Sequence, residues 1–381
     1  MSRPVYPAAQ AVAATVEDYF ANHINAAAKK RGEELAPSPD ANAVEVIVDS
    51  AFWASLRREE AYSPKISIAF LSPTQSAQPL TFEHSLSLTP SVLTKLAAAV
   101  ERPGIHLGVW RDSDTKELRV WGTTRSIPQL CFVLEVIEPG LLVIKYRRGR
   151  EAGKYVNVVV LKGDQIKIID EKGTVLPDCP ALLTPLLGFG SATSSDDSVN
   201  VLVQLAVSMR AHGRGGSLLV VPQGSESWRN SILQPIPYPV EPPYSELAEL
   251  MRRDASERRH PLWQEALIDA VDAIAGLTAV DGAALITDQY EVLAFGAKIG
   301  RRDGSVRVEQ VVVTEPVVGN VISPVHPLEL GNTRHLSAAQ FVYDQHDAVA
   351  MVASQDGRFT VFAWSPCEEM VHAHRVETLL M

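Results

Sequence analysis

The chain has 381 residues and a formal net charge of −10, with 35 Lys/Arg against 45 Asp/Glu. Apolar residues make up 46% and charged residues 21%, close to the globular average, which excludes a globally disordered chain. The acidic balance argues against nucleic acid as a partner, since phosphate binding needs a basic surface.

The charge is uneven: from Ser245 onward 11 Lys/Arg stand against 20 Asp/Glu, while the first 244 residues are close to neutral. Length alone predicts two or three domains. Ala-rich residues from Ala8 to Ala28 recur at helical spacing and end in Lys29, Lys30 and Arg31, cations that suit a helix C-terminus. Pro37 and Pro39 mark a loop, and a second helix is expected from Val44 to Arg58. A β-rich stretch follows. Lys65–Leu71 alternates at period two, as a half-buried strand does. Ile105–Trp110 and Leu118–Gly122 flank Asp112, Ser113 and Asp114 as a hairpin. CFVLEVI, LLVIKY, VNVVVL and QIKIID continue the strands, with a turn at Lys162, Gly163 and Asp164.

A helix is expected from Asp196 to Gly213, then a strand at Ser217–Val221. Gly213, Gly215 and Gly216 invite a phosphate-loop reading, but phosphate loops run strand, glycines, helix, and this segment runs helix, glycines, strand. A tight turn into a buried strand is the better reading. Prolines at 235, 237, 239, 242 and 243 favour extended polyproline structure and predict a linker at 235–244. Beyond it, Leu262, Trp263, Ala266, Leu267, Ala270, Val271 and Ile274 mark one helix face. Strands TAVDGAALIT, VLAFGAKI and VRVEQVVV follow, then a helix opened at Thr333 and the hairpin AVAMVAS–QDG–RFTVFAW. His372 and His374, two apart, could face one side of a strand as a metal pair; the preferred reading is surface residues of a terminal helix. Residues 200–221 and 263–286 both run helix, glycine-containing turn, apolar strand. The fold expected is α/β in two domains: a mixed-sheet α+β domain over 1–234, the linker, and a compact α/β domain over 245–381.

Cys131, Cys179 and Cys367 form no CxxC pair, so neither a disulfide framework nor a cysteine zinc site is expected. No apolar run reaches the roughly 18 residues of a membrane span, and Glu17 and Asp18 come too early for a signal peptide. The expectation is a cytoplasmic protein with no membrane partner.

Two segments could carry chemistry. Asp281, Gly282 and Ala283 lie in an apolar stretch, where a carboxylate is costly unless paired or coordinating, and where the small neighbours leave room for a ligand. The competing reading is a turn at a strand end. Gly331 and Asn332 permit an unusual backbone conformation before Thr333, a natural N-cap. Arg334 and His335 then fall in the first helical turn, beside backbone N–H groups that suit an anion; the competing reading is a solvated helix start.

In this order, DGA and then TRHLSA about fifty residues later, the two segments resemble the diadenylate cyclase domain, found in the DNA integrity scanning protein and in membrane-bound cyclases. The resemblance spans roughly residues 245–365. That family carries a DGA motif and a GTRHRxA-type motif. The upstream SVNVLVQLAVSMRAHGRGGSLLVVP looks like the probable sensor domain called DACNV. The resemblance implies that two ATP give cyclic di-AMP, a second messenger, and two pyrophosphates. It implies that Asp281 holds Mg2+ or Mn2+ and helps activate a ribose 3′-hydroxyl, with Asp356 as a further metal ligand. Gly282 and Ala283 would line the ATP site. Gly331, Thr333, Arg334 and His335 would meet the phosphates, with Ser337 nearby. It also implies a homodimer or higher oligomer with two sites face to face. The chain departs from the family at Leu336, where a second Arg is usual, and at Asn332 before the Thr. It departs again at Ser354-Gln355-Asp356, where a Ser-Glu-Glu run is usual. A catalytically weakened nucleotide-binding signalling module is the alternative that these departures motivate.

Overall fold

The computed structural model describes residues 5–28, 35–59, 61–147, 155–170, 200–258 and 260–381. The chain divides into two units, Met1–Ile169 with Met381, and Asp170–Leu380. Each is mixed α/β, one on an eight-stranded and one on a nine-stranded sheet.

The first unit opens with α1 (Pro7–Ala28) and α2 (Ala41–Ser55). Val12, Val16 and Phe20 recur at helical spacing and are buried, as are Val44, Ile47, Val48 and Ala51. Asp40 caps α2 by accepting the Ala43 N–H at 2.7 Å. Then come β1 (Ile66–Phe70), β2 (Leu80–Ser87), α3 (Pro90–Leu96), β3 (His106–Arg111), β4 (Leu118–Thr124), β5 (Phe132–Glu138), β6 (Leu141–Arg147), β7 (Tyr155–Lys162) and β8 (Gln165–Ile168). The sheet order is β2-β4-β3-β1-β5-β6-β7-β8, with only β1 and β3 parallel. The predicted hairpin is β3–β4. All five residues of β1 are buried, so this central strand is covered on both faces and not on one. The apolar sides of α1 and α2 pack on Ile68, Phe132, Leu134 and Ile144 in one core.

The second unit begins its described part with α4 (Val201–Ala211), capped by Asn200, and β9 (Gly216–Val221). The expected start at Asp196 lies outside the described residues. β10 (Tyr238–Tyr244), α5 (Glu246–Arg252), α6 (Ala255–Arg258), α7 (Pro261–Leu277), β11 (Ala283–Thr287) and β12 (Val292–Ala297) follow. β13 (Val311–Thr314), β14 (Ser323–Val325), α8 (Pro327–Leu330), α9 (Thr333–Asp344), β15 (Val349–Ala353), β16 (Phe359–Ser365) and β17 (Met370–Arg375) complete it. The order is β10-β12-β11-β9-β15-β16-β17-β13-β14. Along β9, Leu218 and Val220 face a core with Leu205, Met209, Leu267 and Ile274, from α4 and α7. Leu219 and Val221 face the opposite core with Ala338, Phe341 and Val342, from α9. Helices therefore cover both sheet faces, which is why the β9 run is apolar without alternation.

Four expectations are corrected. The boundary falls at Ile169/Asp170 and not at the prolines. α4 and β9, assigned from the sequence to the front domain, sit in the second sheet, with β9 between β11 and β15. Residues 238–244 are an edge strand and no linker, since Tyr238 opposes Phe295, Pro239 opposes Ala294 and Tyr244 opposes Val292. An edge strand needs donors on one side only, so it tolerates prolines that a central strand cannot. His372 and His374 lie on β17, not on a helix, and both are buried. His372 Nε2 meets Glu368 at 2.9 Å and His374 Nδ1 meets the Thr314 hydroxyl at 2.7 Å. The two helix–turn–strand echoes prove to be neighbours: β9 and β11 pair in parallel, and α4 and α7 share one core. Among the described residues no helix is long and apolar enough to cross a membrane.

Candidate functional site

Register brings several strand ends of the second unit together. β9 and β11 are parallel with Ala283 opposite Ser217. The antiparallel neighbours set Ala353 opposite Gly216 and Ala297 opposite Ala283. Asp281 precedes β11 and Gly215 precedes β9 at this same, paired end of the two parallel strands. The starts of β9 and β11 and the turn after β15 thus share one end of the sheet.

Arg334 reaches this end from the first turn of α9. A Cβ built on Gly215 would stand 3.0 Å from Arg334 Nη1, 3.1 Å from the Ala353 carbonyl oxygen and 3.4 Å from Gln355 Cγ. Gly215 also has φ +69°, so its backbone and its crowding both require glycine. The Gln355 amide donates to the Arg214 carbonyl at 3.2 Å, tying the turn after β15 to the start of β9. A glutamate there has no proton to give, so the expected acid would lose this tie. Arg334 has no ion-pair partner among the described residues.

Asp281 precedes β11 and does not lie inside it, so the turn reading of DGA describes the backbone correctly. Its side chain is 89% exposed, with Lys298 Nζ 3.4 Å from Oδ2. An exposed pair of this kind contributes little to stability. Gly282 has φ +110°, and a Cβ there would lie 2.4 Å from the Gly296 carbonyl carbon. The crossing of these two glycines brings β12, and Lys298 just beyond it, against Asp281. Ala283 is buried in the core beneath and does not line an open surface.

The second motif differs from expectation in its details. The N-cap of α9 is Asn332, whose side chain accepts the Arg334 N–H at 3.1 Å. The Asn332 carbonyl accepts the His335 N–H at 3.0 Å, so these two donors are already occupied. Gly331 (φ 169°) and Asn332 (φ −94°) are extended, not left-handed. Glycine is needed at 331 for space, because a Cβ there would lie 2.5 Å from His335 Cε1 and Nδ1. His335 is fully buried beneath that turn, edge-on to Phe362, and neither ring nitrogen has a hydrogen-bond partner. It shapes the turn and does not face an open surface. Thr333 is exposed, and Ser337 is half-buried one turn further along the helix.

Burial pushes the His335 imidazole down to about 4; Asp356 works against this, while Arg358, Arg334 and Arg375 add to it. With an ordinary value near 6.5 in the unfolded chain, the unfolded state binds the extra proton between pH 6.5 and 4. His335 therefore supports full stability above pH 6.5 and costs stability as pH falls through that window. His335→Leu is expected to make urea midpoints of the second unit less sensitive to acid, by up to about 1.4 kcal/mol per pH unit. An unchanged pH profile between 6.5 and 4.5 would contradict the assignment.

Asp356 lies in the turn between β15 and β16 and pairs with Arg358 at 3.1 Å. Among the described residues no group of three or more His, Cys, Asp or Glu is gathered as for a metal. Mg2+ commonly takes one or two carboxylates plus substrate phosphates. Asp281, a single exposed carboxylate, is of the type that sharing mode uses.

Comparison with known proteins bears on the front of the chain. Residues 33–125 match the family described as Probable sensor domain DACNV. No curated protein matches the chain. The match covers α2 to β4 of the first unit and not residues 198–222, which the sequence reading had associated with that domain. Residues 201–221 of that stretch carry α4 and β9 of the second unit. The glycines at 213–216 read from the sequence as a tight turn into a buried strand, and Lys298 does not stand out there. The only signal for the turn was its cluster of glycines, and for Lys298 its place just after Gly296.

Proposed function

We propose that the second unit grips the triphosphate of ATP between Asp281 and Arg334, and that two chains together condense two ATP into cyclic di-AMP and two pyrophosphates. The observation that carries this reading is the approach of the Arg334 guanidinium to Gly215, just before β9, at the sheet end where Asp281 precedes the parallel strand β11. A sensor-type first unit, consistent with the match at residues 33–125, would set the level of that activity.

Arg334 presents a planar fork of donors, suited to two phosphate oxygens at once. Thr333 offers its hydroxyl at the same helix start. Asn332 and His335 fix the backbone that aims them. Asp281 would hold Mg2+ or Mn2+ jointly with phosphate oxygens, and the bound ion supplies charge neutralisation at the reacting phosphate. In the reaction, the 3′-oxygen of one nucleotide forms a bond to the α-phosphorus of the other. The bond from that phosphorus to the β-bridging oxygen breaks, pyrophosphate departs, and the hydroxyl proton passes to a carboxylate or to water. A second displacement in the opposite sense closes the ring. Each chain presents one nucleotide, so a two-fold pair is required.

Two observations favour a second reading, an ATP receptor without turnover: Lys298 competes for Asp281, and Gln355 serves as a hydrogen-bond donor where the resemblance implies an acid. Incubating the full chain with ATP and Mn2+ or Mg2+, followed by chromatography, separates the two. Cyclic di-AMP is expected, falling at least about a hundredfold in Asp281→Asn. ATP binding by calorimetry with no product from either metal ion would leave the receptor reading. No binding would remove both.

A further inference from the structure

The first unit contains a cavity of about 730 Å³, large enough for a ligand of metabolite size. It opens beside β1, the loop before β3, and strands β5 to β7. Its charges are unbalanced. Among the described residues Lys65, Arg102, Arg125, Lys145 and Arg147 line it, against the carboxylates Glu101 and Glu135. Glu135 is already engaged, with Lys145 Nζ 2.7 Å from its Oε2. Lys145 also lies 4.5 Å from the centre of the Tyr155 ring and is buried.

The inner polar groups satisfy one another. Ser67 Oγ meets His106 Nδ1 at 2.7 Å, and His106 Nε2 meets the Tyr155 hydroxyl at 3.0 Å. Burial, with Lys145 and Arg147 adding to it, pushes His106 down to about 4, so the ring is neutral near pH 7. The deep wall is therefore a closed hydrogen-bonded network that does not neutralise the cations at the rim. Lys65, Arg102 and Arg125 have no ion-pair partner among the described residues. A concave wall of low polarity concentrates such a field. Ile66, Val100, Pro103 and Val136 give the same cavity an apolar side.

We propose that this cavity binds a small organic anion, with a carboxylate or phosphate held by the rim cations and an apolar body against Ile66, Val100 and Val136. The proposal does not depend on the nucleotide reading of the second unit. It assigns the front unit a ligand class.

The test uses the full chain and three probes of one shape: phenyl phosphate, benzoate and neutral benzyl alcohol, titrated by calorimetry in low salt. At least one of the two anions is expected to bind at millimolar concentrations or below, and benzyl alcohol is not. The stronger of the two identifies the preferred head group. Arg102→Gln combined with Arg125→Gln, both exposed positions, should weaken that anion about tenfold or more. Lys95→Gln, an exposed cation outside the cavity, should leave binding unchanged. Absence of binding by both anions up to about 10 mM, equal binding of benzyl alcohol, or wild-type affinity in the rim variant would overturn the proposal.

Discussion

Gly282→Ala is expected to destabilise the second unit by about 3 kcal/mol or more, read as a fall in its urea midpoint. Two effects add. The backbone at φ +110° suits glycine alone. The new Cβ would lie 2.4 Å from the Gly296 carbonyl carbon and 2.5 Å from its oxygen, and this is backbone that cannot rotate away. Gly304→Ala provides the matched control. It also has positive φ, +77°, but a Cβ there meets nothing within 4 Å. Only the backbone preference is then lost, about 1 kcal/mol. Equal effects of the two substitutions would show that the glycine crossing does not hold Asp281 where it is described.

Arg334→Gln is expected to weaken ATP binding by about tenfold to a hundredfold, the loss of charge-assisted hydrogen bonds worth about 1.5–3 kcal/mol. Stability should change little, because the guanidinium is half-buried and makes no ion pair among the described residues. Arg334→Lys should recover only part of the affinity, since an ammonium cannot match two phosphate oxygens in one plane. Calorimetry with ATP and Mg2+ checks all three chains. Unaltered affinity in Arg334→Gln would mean that the approach to Gly215 is packing and nothing more.

The elements that the sequence revealed were those with a strong period or a long apolar run. α1, α2, the β3–β4 and β15–β16 hairpins and the strands from β5 to β8 all emerged close to their observed bounds. β2 did not, because its residues are largely exposed and carry no alternation. β17 did not, because Met370–Arg375 includes two histidines whose burial depends on partners elsewhere, Glu368 and Thr314. Prolines misled the domain boundary: they forbid a helix or a central strand but not the edge position that β10 takes. The site was legible as two motifs. The approach of Arg334 to Gly215 was not, since Gly215, just before β9, lies about 120 residues before α9 and is brought there only by sheet order. His335 shows the same limit. Its residue type suggested phosphate contact, and only tertiary packing reveals that Gly331 covers its ring.

The central claim is that Asp281 and the Thr333–His335 turn border the same nucleotide. Hydrogen–deuterium exchange of the full chain, with and without ATP and Mg2+, tests it directly. Slower exchange is predicted in peptides covering 279–286 and 329–340 at one common ATP concentration, and in both it should vanish in Arg334→Gln. Protection of one segment without the other, or of neither at saturating ATP, would contradict the account.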